Sequence, residues 1–289
     1  MISIFNTFKT GLEEAWQQKK MIAFLFLIYL VVALIMALPV IKLICQALDH
    51  SVAADRLLKA FDVKIFQTIF LDIGLDVNLS GLLIGFAIIY ILLQTFFAGG
   101  ILKILIQGKR FALRHFLFGC LDYFTRFLRL FLLSLLFIII TFSIFGLLSN
   151  LTYYFTQTVT TEFWPYLLLY LRIFIVMVLL GIINMIFDYA KIIAVANDLH
   201  SMIDSMQKAF FFVIGHVYKA STLYILYLLS ALAMLAVYWL LENLLDTSDI
   251  IGILLFILLS QTYTVSRIWI RLSFFAGQNI FYHQLSTAS

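Results

Sequence analysis

The sequence predicts an all-α polytopic membrane protein, a bundle of six transmembrane helices with both termini on the cytoplasmic side and amphipathic helices at the membrane interfaces. Three observations predict it. The 289 residues are 64% hydrophobic and only 12% charged, with a mean hydropathy of +1.08, too little polar surface to cover a water-soluble globule. Six apolar stretches reach the roughly 20 residues that a helix needs to cross a hydrocarbon core about 30 Å thick. Most of the nineteen Lys and Arg residues then fall on one side of the resulting topology.

The six stretches lie at about 22–44, 79–107, 121–148, 163–195, 217–245 and 250–270, and together they make the chain a single transmembrane domain over 1–289. Two prolines and thirteen glycines leave long helices uninterrupted, and no segments of about ten alternating residues suggest a barrel. The residues before the first stretch include Glu13 and Glu14, and the apolar run after them exceeds a signal-peptide core, so the first span is expected to remain as an anchor.

With the amino terminus inside, the outer loops hold only Lys42, Arg56, Lys59 and Lys64, and Arg172 lies within the fourth span. The outer segments between spans three and four and between five and six carry acidic residues and no Lys or Arg. The positive charge therefore reads as topology, not as a nucleic-acid surface. Cys45 and Cys120 fall on opposite predicted faces, too far apart to bridge.

Three connecting segments read as interfacial helices, at 51–73, 109–119 and 201–215. In the last, Met202, Ile203, Met206, Ala209, Phe210, Val213 and Ile214 follow helical spacing, and Ser201 with Asp204 forms a capping pattern. The middle one is short and basic. Its Lys109, Arg110 and Arg114, with Arg126 and Arg129 from the next span, are candidate contacts for anionic lipid headgroups.

Ionisable groups within spans are costly and mark candidate sites. Arg172 could meet an anionic substrate or partner helix, or reach the outer headgroups beside Trp164 and Tyr166. Asn184, Asp188 and Lys191 lie along one face of the fourth span, as a polar site or a self-neutralising pair at the inner boundary. Gln261, Thr264, Arg267 and Arg271 form a stripe on the sixth, where the two arginines could grip phosphate or carboxylate or simply anchor the helix.

The five histidines match no zinc spacing, and phosphate-binding and nucleophile motifs are absent, so no cofactor, metal or catalytic residue is expected. The expected role is that of a non-enzymatic accessory or assembly subunit binding membrane lipids or other membrane subunits, with a small permease or lipid transporter as the alternative.

One resemblance adds to this reading. The runs Asp188, Tyr189, Ala190, Lys191, then 197–201, then 203–213 resemble the place where the membrane domain associated with glycerophosphodiester phosphodiesterases, and related six-helix proteins, put an amphipathic helix before the next span. The resemblance implies a six-helix bundle of a bacterial inner membrane. It carries no catalytic residue over, because no phosphodiesterase domain is read in this chain.

Overall fold

The computed structural model describes residues 4–48, 76–156, 163–245 and 250–286. Among the described residues every regular element is an α-helix. In order these are α1 (Ile4–Gln17), α2 (Lys19–Leu48), α3 (Asp76–Gln107), α4 (Leu113–Thr156), α5 (Phe163–Ala196), α6 (Met202–Gly215), α7 (Val217–Leu244) and α8 (Ile250–Ser286). Six of them, α2 to α5 with α7 and α8, are long and apolar enough to cross a membrane.

Two differences from the expected boundaries matter. The basic stretch 109–119 is not a separate interfacial helix, because α4 is continuous from Leu113 and leaves only a short link after Gly108. At 44 residues α4 is about 66 Å long, so roughly half of it extends beyond a hydrocarbon core. Likewise α8 continues past 270 to Ser286. The expected helix over 51–73 lies outside the described residues.

Helix ends follow local chemistry. Gly108 adopts a left-handed φ of 60°, and the Lys109 N–H returns to the Ile104 carbonyl, closing α3. Asp198 takes the equivalent position after α5 at φ 44°, with the Leu199 N–H bonded to the Ala194 carbonyl. Ser201 caps α6, its hydroxyl accepting the Asp204 N–H at 3.3 Å.

The contacts divide into two groups, Lys19–Gln94 and Met1–Gln18 with Thr95–Ser289. In the first, the Tyr29 hydroxyl donates to Gln94 Oε1 at 3.2 Å. In the second, α1 lies against α7 and α8, α4 against α5, α5 against α6, and α7 against α8. Burial there concentrates at one end of the long helices, in 116–130 of α4, 185–195 of α5, 220–227 of α7 and 268–281 of α8.

Small residues create this packed end. A side chain at Gly99 would meet the Gly119 carbonyl at 2.9 Å, and one at Gly100 would meet the Phe116 carbonyl at 2.7 Å, so α3 and α4 cross almost backbone to backbone. The α1–α8 crossing is built in the same way. A Cβ on Gly11 would lie 2.9 Å from the Gly277 backbone and would strike the Tyr227 hydroxyl. Thr7 and Ala15 complete the buried stripe of α1 at four-residue spacing.

Candidate functional site

The Met1–Gln18 and Thr95–Ser289 group contains a cavity of about 340 Å³ between α5, α7 and α8. Asn184 contributes from α5, Tyr224, Tyr227, Leu228, Ala231 and Met234 from α7, and Tyr263, Arg267, Ile270, Arg271 and Phe274 from α8. The helical period explains the choice. Tyr263, Arg267, Ile270, Arg271 and Phe274 fall at helical offsets 0, 4, 7, 8 and 11, so α8 turns one stripe toward α7.

Behind Tyr224 lies a connected polar network. Its hydroxyl donates to Asp188 Oδ2 at 2.6 Å and accepts from Gln278 Nε2 at 2.8 Å. Lys191 Nζ donates to Asp188 Oδ1 at 3.0 Å, forming the pair expected from their spacing. Asp188 is thereby satisfied on both oxygens, which is what a nearly buried carboxylate requires. Gln278 Oε1 and Asn279 Oδ1 are buried acceptors with no hydrogen-bond donor among the described residues.

The two arginines in the cavity wall differ from the paired charges. Among the described residues neither Arg267 nor Arg271 has a carboxylate within 4.0 Å. Each guanidinium instead lies beside an aromatic ring, Arg267 at 5.9 Å from Tyr263 and Arg271 at 5.8 Å from Phe275. Unpaired guanidinium groups set into a mostly apolar wall favour an anion that supplies the missing charge.

Of the residues singled out in the spans, Asn184, Arg267 and Arg271 meet at this cavity, and Asp188 and Lys191 stand behind its Tyr224 wall. Gln261 is half-buried outside the lining. Arg172 is elsewhere, tying α5 to α4. Its Nη1 donates to Thr152 Oγ1 at 3.2 Å, its guanidinium lies 4.5 Å from the Phe145 ring centre, and Nε is buried with no acceptor among the described residues.

The candidate headgroup residues also separate. Lys109, Arg110, Arg114 and Arg129 are exposed, with Arg114 5.6 Å from the Phe118 ring. Arg126 is pinned across the α5–α6 turn, donating to Asp198 Oδ1 at 2.7 Å and to the Leu199 carbonyl at 3.3 Å. The Tyr123 hydroxyl also donates to Asp198, at 3.3 Å. The hydrogen bond from Arg126 holds the Asp198 carboxyl below its ordinary range. Glu14 on α1 shifts the other way, raised by partial burial.

Sequence reasoning missed Tyr224, Tyr227 and Tyr263 as cavity walls and Asp198 as the partner of Arg126. The tyrosines carried a signal, since Tyr224 and Tyr227 sit three residues apart on one face of α7. A second cavity, about 380 Å³, includes Lys208 and His216, but it brings a single lysine and no arginine. No family model, curated protein or solved structure matches the chain.

Proposed function

We propose that this integral membrane protein is a non-enzymatic accessory component that holds the anionic headgroup of a membrane lipid in the α5–α7–α8 cavity. The observation that carries the reading is the pair Arg267 and Arg271, one helical turn apart and without carboxylate partners among the described residues, in a cavity otherwise lined, apart from Asn184, by tyrosine and apolar side chains. Asn184 adds a neutral hydrogen-bonding group on the facing helix.

The packed end also gathers Lys103, Lys109, Arg114, Arg126, Lys191 and Lys208, and the excess of positive charge supports a cytoplasmic orientation for it. The site would then draw on the anionic lipid of the inner leaflet, in keeping with the resemblance to a bacterial inner-membrane domain. The permease alternative has less support, because Arg172 and Gln261 stand apart from the cavity.

Lipid binding to the detergent-purified chain, read by native mass spectrometry, tests the proposal. Phosphatidylglycerol should bind in preference to phosphatidylcholine, and R267A/R271A should lower that preference about tenfold. Arg114→Ala with Arg129→Ala, which removes two exposed arginines outside the cavity, should change it little. Equal loss from both double variants would reduce the effect to general surface charge and defeat the reading.

A further inference from the structure

The headgroup cavity does not end at Met234 and Tyr263. Both residues also line a third cavity of about 280 Å³, which continues between α7 and α8 away from the arginines. Its other walls are Ala233, Val237, Tyr238, Leu241, Leu259, Thr262 and Ser266. We propose that this groove holds one acyl chain of the same lipid whose headgroup Arg267 and Arg271 bind; the proposal rests on that headgroup reading and names the ligand class as a long-chain anionic phospholipid.

Three features support a hydrocarbon occupant. First, the groove offers a ligand little polarity. Its two hydroxyl side chains on α8 already donate to carbonyls of their own helix, Thr262 to Leu258 at 2.8 Å and Ser266 to Thr262 at 2.9 Å. A small polar molecule or a peptide backbone would leave its own groups unsatisfied there.

Second, the change from polar to apolar wall is marked by one residue. Tyr263 lies beneath the Arg267 guanidinium on the cavity side and stacks on Tyr238, centroids 4.6 Å apart, on the groove side. Tyrosine suits a boundary where one end of a ligand is charged and the other apolar. Third, the length fits. Leu259 to Arg271 spans about 18 Å of helix, close to the ~15 Å depth of one leaflet. A chain lying along α7 and α8 thus runs from headgroup level toward the bilayer midplane.

Blocking the far part of the groove while leaving the arginines intact tests this. Val237→Trp from α7 and Thr262→Phe from α8 each place a large ring there, and thermal melting of both variants checks that they fold. Binding of dioleoyl and of dihexanoyl phosphatidylglycerol is then measured by native mass spectrometry on the full chain.

The expected result is a fall of at least about tenfold for the dioleoyl lipid in either variant, with dihexanoyl binding unchanged, since several methylenes lose their site. R267A/R271A should weaken both lipids. If the blocked variants keep full dioleoyl binding while the arginine variant loses it, the groove proposal is overturned and the headgroup reading stands. If the blocked variants lose the dioleoyl lipid while the arginine variant binds normally, the groove stands and the headgroup reading fails. No change in any variant overturns both.

Discussion

In α8, Leu272 is fully buried whereas Leu254 and Leu258 are 61% and 65% exposed. The same contrast divides α4, α5 and α7, whose other ends carry rows of exposed leucine, isoleucine and phenylalanine. The residue type is no guide to which half is packed. Lipid tails are as apolar as leucine, so burying a leucine against another helix gains little over leaving it in the bilayer. What distinguishes the packed end is small residues that let backbones meet, Gly99, Gly100, Gly119 and Gly277, and polar side chains that bond across helices. Apolar content shows where the chain meets lipid, and small and polar residues show where it meets itself.

The sharpest way to break the packed end is at Asp188. Asp188→Ala removes the acceptor of both Lys191 and Tyr224, and stranding that partly buried lysine should cost about 3 kcal/mol, read from unfolding in detergent micelles. Gly277→Leu should come next, at about 1–3 kcal/mol, because its side chain would displace Tyr227 and push α1 off α8. A destabilisation no larger than that of an exposed glycine such as Gly146 would mean that the α1–α8 contact contributes nothing.

Two carboxyls at this end predict opposite responses to pH. The Asp198 carboxyl is lowered, so its stabilisation is complete above its ordinary value of 3.8 and is lost as pH falls through the lowered one. Asp198→Asn should remove that acid-side loss. The Glu14 carboxyl is raised, so the fold favours its neutral form, and stability falls as pH rises from the ordinary value of 4.5 through the raised one. Melting curves across the acid range should show Glu14→Gln flattening this second slope. At the small end of the scale, Leu254→Ala in the exposed half of α8 should change stability by less than about 0.5 kcal/mol.

The spans themselves were legible because length and apolarity are local properties. So was α6, whose cap and apolar stripe sit within fifteen residues, and so was the Asp188 and Lys191 pair one turn apart. Helix α1 carries an apolar pattern, Ile4, Phe5, Phe8, Leu12 and Trp16, but the stripe that it buries, Thr7, Gly11 and Ala15, is made of small residues, so apolar spacing does not show which face packs. The start of α4 differs because the basic residues of 109–119 suggest a separate interfacial helix, while nothing local interrupts a helix that begins at Leu113. The meeting of Asn184 with Arg267 and Arg271, and of Arg126 with Asp198, depends on which helices neighbour one another. Span lengths and charge counts do not encode that.

The seam between α1 and α8 has a consequence for how the protein is made. The Thr7 hydroxyl donates to Gln284 at 3.1 Å, and the Tyr227 hydroxyl to the Phe8 carbonyl at 3.4 Å. Synthesis proceeds at about 5–20 residues per second, so α1 waits on the order of tens of seconds for α8. During that interval its face of Thr7, Gly11 and Ala15 lacks the α8 half of its packing surface. Assembly of the packed end therefore waits for α8, and a chain stalled before α8 should present α1 to proteases that the assembled helices resist.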